Sequence, residues 1–98
     1  MAKIILSRKA IADLDGIWNY TVETWSEEQA VIYYRQIYTA IQGLNSLPVF
    51  LEKEYNAIKP VLFGFKVGHH IVFYKKHKDG SIWVDRILHE KMDFQRHL

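Results

Sequence analysis

Histidine supplies most of the chemistry this chain could carry. Five imidazoles, His69, His70, His77, His89 and His97, all fall in the second half of 98 residues. Imidazole titrates near neutrality and ligates transition metals, so the cluster suggests proton transfer or metal binding. Neither has a clean motif behind it. His89-Glu90 opens like the H-E-x-x-H zinc pattern, but Asp93 stands where the second histidine belongs. On a helical tail His89, Asp93 and His97 would share one face and could hold zinc or nickel. A solvated tail or an internal His–Asp bond is the plainer reading, and no metal or cofactor is expected. His69 and His70 are adjacent, so a strand sends them to opposite sides. His77 sits among Lys75, Lys76 and Lys78 in a basic tip able to touch phosphate, with a solvated turn as the default. With zero cysteines there is no disulfide framework, thiolate metal site or cysteine nucleophile.

Charge points the same way along the chain. The formal net charge is +2, but residues 1–54 hold five cations against seven anions, and residues 55–98 hold eight against four. The cationic half favours an anionic partner such as an acidic peptide, a nucleic acid or an acidic protein surface. A solvated basic face without a target is the bland alternative. Within that half Arg86 shares strand parity with Ile82, Val84 and Leu88. An inward arginine needs partners, so either a core carboxylate satisfies it or it is aimed into a cleft.

The elements that must position these groups are legible in outline. Lys3 to Leu6 is short and β-branched and predicts a strand. Ser7 can cap a helix in which Ile11, Leu14, Ile17/Trp18, Thr21/Val22 and Trp25 recur at helical spacing. Gly16 inside it costs about 1 kcal/mol relative to alanine, which predicts a close approach by another element. Ser26-Glu27-Glu28-Gln29 matches a capping box, with both acids in the first turn. Ala30, Tyr33/Tyr34, Ile37, Ile41, Leu44 and Leu47 form the second stripe, which Pro48 should end. With only Trp25-Ser26 between them, the helices should pair as a hairpin. Residues 48–60 show no period and read as an ordered loop. Val61, Phe63, Phe65 and Val67 then alternate with Leu62, Gly64, Lys66 and Gly68, as in a half-buried strand. Gly68 leads into a strand at His70–Lys76, and Asp79-Gly80 turns the chain into another at Ile82–Leu88. The expected fold is α+β, β-α-α-β-β-β, with an antiparallel sheet packed by an N-terminal helix hairpin and a short C-terminal helix or tail.

Size and composition bound the answer. Ninety-eight residues allow one domain, 1–98. Apolar types are 49% and charged types 24%, enough apolar matter for a folded globular state. The longest apolar run, Ala30 to Tyr34, is far short of the roughly 20 residues a membrane span needs. Ile4-Ile5-Leu6 is too short for a secretory signal, so the expected location is the cytoplasm.

The residues, taken in order, resemble the ParE toxins of the RelE/ParE superfamily over nearly the whole chain. The pieces are Leu6-Ser7-Arg8-Lys9-Ala10 with Asp13-Leu14, Ile17-Trp18-Asn19-Tyr20-Thr21, and Trp25 with Gln29-Ala30. The two specific ones come late: Gly68-His69-His70-Ile71-Val72-Phe73-Tyr74 and Arg86-Ile87-Leu88-His89-Glu90-Lys91-Met92-Asp93. The resemblance implies the toxin of a type II toxin–antitoxin pair that blocks DNA gyrase by binding. It also implies a ParD-like antitoxin whose tail wraps the toxin. Neither a membrane nor sequence-specific nucleic-acid binding is implied. The chain departs from the family where R-x-G-Y-R is common: Lys59-Pro60-Val61-Leu62-Phe63 stands there, so Phe63 replaces an arginine. Lys75 also stands where arginine is frequent, and lysine lacks the bidentate fork.

RelE relatives cleave messenger RNA on the ribosome, which requires a base, cations for the phosphorane and an acid. The residues here that could form such a set are His89, Arg86, His70, Lys66 and Tyr74. The alternatives to a gyrase inhibitor are therefore a ribosome-dependent endoribonuclease, or a low-potency toxin that only binds antitoxin. For a binder, the expected target contacts are Arg86, His89, Lys91, Arg96 and His97. Trp18 and Trp25 read as core. Tyr20, Tyr34 and Tyr38 are expected to face outward and form the antitoxin groove.

Overall fold

Two serines start the helices. Ser7 Oγ accepts the Ala10 N–H at 3.0 Å and Ser26 Oγ accepts the Gln29 N–H at 3.0 Å, each satisfying a donor the first turn leaves unpaired. The reciprocal half of the expected capping box is absent, because the Ser26 N–H goes to the Thr21 carbonyl instead. The computed structural model describes residues 3–47, 52–55, 62–92 and 96. They form strand β1 (Ile4–Leu6), helix α1 (Arg8–Thr24), helix α2 (Glu27–Gln42), a 3-10 turn (Leu44–Ser46), and strands β2 (Lys53–Tyr55), β3 (Leu62–Val67), β4 (His70–Lys76) and β5 (Ile82–His89).

The five strands lie in the order β1-β5-β4-β3-β2. The late meander is antiparallel as expected, but β1 runs parallel to β5, pairing Ile4 with Ile82 and Leu6 with Val84. The sheet is therefore mixed. A further strand, β2, pairs Lys53–Tyr55 with Gly64–Leu62, inside the stretch read as loop. Helix α2 stops five residues earlier than its apolar stripe suggested. The Gly43 N–H bonds the Thr39 and Ala40 carbonyls, and the chain tightens into the 3-10 turn that keeps Leu44 buried. Pro48 and Val61 lie outside the described residues.

The hairpin covers one sheet face. Ala10, Leu14 and Ile17 of α1 and Ile37 and Ile41 of α2 pack on Val72, Tyr74, Ile82, Val84 and Ile87. Ile37 is fully buried, and truncating such a side chain to alanine costs about 2–5 kcal/mol. Leu62, Phe73 and Leu88 form a smaller buried cluster. Three helix positions depart from the expected stripe. Ile11 is half-exposed and Trp25 is 73% exposed, since Trp25 is the residue where α1 ends and the chain turns. Gly16 meets no other element: nothing lies within 4 Å of a Cβ placed there. Among the described residues no helix is long and apolar enough to cross a membrane.

A β-bulge corrects the parity of Arg86. Tyr74 pairs with Val84 but Phe73 pairs with Arg86, leaving Asp85 as the extra residue. Past it the alternation flips, so Ile87 joins Ile82 and Val84 in the main core while Leu88 joins the second cluster. Helix α1 satisfies the backbone groups that the bulge loosens. Ser7 Oγ donates to the Asp85 carbonyl at 2.6 Å, and the Ile87 N–H donates to Asp13 Oδ2 at 2.9 Å.

Candidate functional site

Gly68 builds the site by what it lacks. It sits at φ +58°, and a Cβ there would lie 2.6 Å from the ring of Tyr33 on α2. Only glycine allows both that backbone and that approach. The Tyr33 hydroxyl then reaches the β3–β4 turn. It accepts the His69 N–H at 3.0 Å, lies 3.3 Å from the Val67 carbonyl and lies 2.6 Å from His70 Nδ1. A phenol has one proton, so donation to Val67 or to His70 alternates with the imidazole tautomer.

Strand pairing brings a third imidazole alongside. His70 and His89 are cross-strand partners, with ring centroids 5.2 Å apart and edge to face. The His69 ring lies 6.3 Å from His89 on its other side. His89 Nδ1 accepts the Lys91 N–H at 3.2 Å, so the neutral ring carries its proton on Nε2. His69 Nδ1 lies 2.9 Å from Glu90 Oε2, and Lys66 Nζ lies 3.0 Å from Glu90 Oε1.

This crowding sets the protonation states. Burial, then the neighbouring His89 and His69, pushes His70 down to about 4, with Asp13 and Glu90 partly offsetting them. The hydrogen bonds from His69 and Lys66 hold Glu90 down to about 2. Burial raises Tyr33. At neutral pH the site therefore holds an uncharged imidazole, a carboxylate bridged to His69 and Lys66, and Lys91. Lys91 makes no ion pair among the described residues.

These groups form one side of a cleft of about 690 Å³. Its other side is the helix hairpin: Tyr20, Thr21 and Trp25 at the end of α1, and Gln29 at the start of α2. Tyr20 is 65% exposed. A residue expected to meet the antitoxin, Tyr20, thus shares a cleft with two expected to meet the target, His89 and Lys91.

The remaining expected site residues lie elsewhere. Arg86 is held in a fork by Asp13, Nε to Oδ2 at 2.9 Å and a terminal nitrogen to Oδ1 at 3.0 Å, with both side chains largely buried. Tyr74 is buried in the core and donates to Glu52, which also binds Lys76 at 2.8 Å. Burial, and then that bond, push the Tyr74 hydroxyl up. Lys75 pairs with Asp85 at 2.8 Å. Phe63 stacks on Tyr74 and carries Lys76 over its ring. Tyr38 is half-exposed and Arg96 exposed. Tyr34, expected outward, is partly buried against the core with its ring edge-on to Trp18. His97 and Asp93 lie outside the described residues. The RNA-cleavage set is thus split: His70, His89 and Lys66 gather near the cleft, whereas Tyr74 and Arg86 are bound into the fold. Among the described residues no three histidines or carboxylates are placed to hold a metal ion.

Sequence reasoning missed Tyr33, His69, Glu90, Trp25 and Asp13. Tyr33 and Asp13 sat on helical faces that read as core or solvent, and their partners are 37 and 73 residues away. Gly68 ahead of two histidines was the one local signal for the turn.

The model of the family described as the ParE toxin of type II toxin–antitoxin systems, parDE, matches residues 4–94. Toxin ParE1 of Mycobacterium tuberculosis is 33% identical over 97 residues, covering 99% of this chain and 98% of that one. Toxin ParE1 of Caulobacter vibrioides is 33% identical over 96 residues, covering 95% and 94%. A solved structure of the chromosomal ParDE system from P. aeruginosa superposes with a TM-score of 0.76 at 20% identity, covering 91% of this chain and 96% of that one. The matched span, residues 4–94, takes in the residues that clamp the bulge and build the cleft, and the chain belongs to the ParE toxin family of parDE type II toxin–antitoxin systems.

Proposed function

We propose that this toxin acts in the cytoplasm by binding DNA gyrase, and that a ParD-like antitoxin neutralises it by covering the helix hairpin and the adjoining cleft. The single observation that carries a binding role is the fate of Tyr74 and Arg86. The expected RNA-cleaving set would need Tyr74 as acid and Arg86 as a cation beside the imidazoles, yet Tyr74 is committed to Glu52 and Arg86 to Asp13. What faces outward is a recognition surface: Tyr20, Trp25, Ile32 and Tyr38 expose large apolar area on the hairpin. Surfaces of this kind mark protein–protein contact. We assign target contact to His89, Lys91, Arg96 and His97, and to Arg86, held by Asp13, a structural role.

Adding the purified chain to gyrase and, separately, to a translating ribosome system tests the reading. The expected result is loss of supercoiling with messenger RNA left whole. Cleaved message alongside normal supercoiling would reverse the assignment, and inertness in both assays would reduce the chain to an antitoxin-binding module.

A further inference from the structure

The cleft brings imidazoles, a lysine and exposed aromatic rings together. Three imidazoles crowd one another, and in each the Nδ1 atom is already committed: His69 to Glu90, His70 to Tyr33, His89 to the Lys91 N–H. For His89 this fixes Nε2–H as a donor even when the ring is neutral. Lys91 adds a cation without an ion-pair partner among the described residues. Tyr20 and Trp25, both exposed, form an aromatic wall opposite. Donors and positive charge on one side and apolar rings on the other suit an anion carried on an apolar stem.

We infer that this cleft is a socket for one carboxylate side chain on an amphipathic acidic segment of the antitoxin, so that neutralisation covers His89 and Lys91 directly. This deepens the proposed function and rests on its antitoxin partner. An acidic peptide fits better than a nucleic acid. Nucleic-acid affinity comes from neutralising several phosphates in a row, whereas here Lys66 is already paired and Glu90 would repel a polyanion. One carboxylate, taken by His89 and Lys91, matches the charge available.

The socket has a consequence for pH. The groups facing His70 are His89 from β5, His69 and Glu90 from the turns, Asp13 from α1 and Tyr33 from α2. The neighbouring imidazoles and burial keep it neutral in the free chain, against the weaker opposing pull of the two carboxylates. An inserted carboxylate adds a negative charge and favours imidazolium in the cluster. Docking therefore takes up protons, and the complex tightens as pH falls toward the imidazole range.

The test uses the full chain with a ParD-type antitoxin, and co-elution on gel filtration establishes the complex first. Affinity should rise about threefold or more between about pH 7 and about pH 5, as pH falls toward the depressed His70 range. Ring NMR should show an imidazole of the cluster titrating higher in the complex. Lys91→Gln, whose side chain makes no described internal bond, should weaken the complex about threefold to tenfold while leaving the melting temperature in place. A complex that co-elutes but shows pH-independent affinity, unmoved imidazoles and full tolerance of Lys91→Gln overturns the socket and leaves the antitoxin reading standing. Failure to co-elute overturns both. Displacement of the antitoxin by a short single-stranded oligonucleotide overturns the socket in favour of a nucleic-acid site.

Discussion

At the scale of residues, the two late motifs of this chain are explained by packing before recognition. Gly68→Ala forces a side chain into a left-handed backbone and against the Tyr33 ring, and should cost about 2 kcal/mol or more in urea unfolding. Tyr33→Phe keeps the ring but removes the hydroxyl that His69 and His70 share. It should cost about 1 kcal/mol and leave His70 titrating well below its ordinary range, because burial and the neighbouring imidazoles remain, as ring NMR would show. Asp13→Ala leaves the Arg86 guanidinium and the Ile87 N–H without that carboxylate, a loss of about 2 kcal/mol. Tyr74→Phe separates the two functional readings, because a binder should keep its gyrase inhibition and a nuclease using Tyr74 as acid should not. Which residues these are was half legible. Arg86 announced its need for a partner by its place in an apolar strand, but Asp13 could be named only after the helix was docked on the bulge.

At the scale of elements, periodicity located both helices and the late meander, because each buries one face and so repeats its apolar residues at the element's own period. It failed where that condition fails. Strand β2 is three residues on a sheet edge, too short to show a period. The bulge at Asp85 shifted the parity of everything after it, moving Leu88 to the other cluster. Trp25 fell on the extrapolated stripe of α1, but the helix ends there and the ring turns out to become a wall of the cleft. Gly16 carries a direct prediction. It is exposed, mid-helix and clear of any neighbour, so Gly16→Ala should stabilise the fold by about 0.5–1 kcal/mol in urea unfolding. A destabilised variant would show that the helix needs that glycine for a reason outside its own packing.

At the scale of the whole molecule, the charge asymmetry seen in the sequence is partly cancelled by folding. Arg86 pairs with Asp13 and Lys76 with Glu52, joining the cationic half to the anionic one, while Lys75 and Lys66 pair with Asp85 and Glu90. Lys91, at the cleft, makes no such pair among the described residues. Acid should unfold the protein in two linked stages. His70 titrates at about 4 when folded against an ordinary 6.5, so the unfolded chain binds more protons across that window. Its contribution is full above about 6.5 and lost as pH falls through about 4. Glu90, ordinarily 4.5 and held at about 2, contributes above about 4.5 and is lost as pH falls through about 2. Urea midpoints measured down a pH series should decline from about pH 6.5, and His70→Asn should flatten the upper part of that decline. The pairing of the first strand with the last has its own outcome. Ile4 waits for Ile82, and the Ser7 hydroxyl for the Asp85 carbonyl. A nascent polypeptide halted anywhere before β5 has neither the bulge nor His89, so the first strand emerges from the ribosome long before its only hydrogen-bonding neighbour among the described strands and cannot be seated until β5 follows.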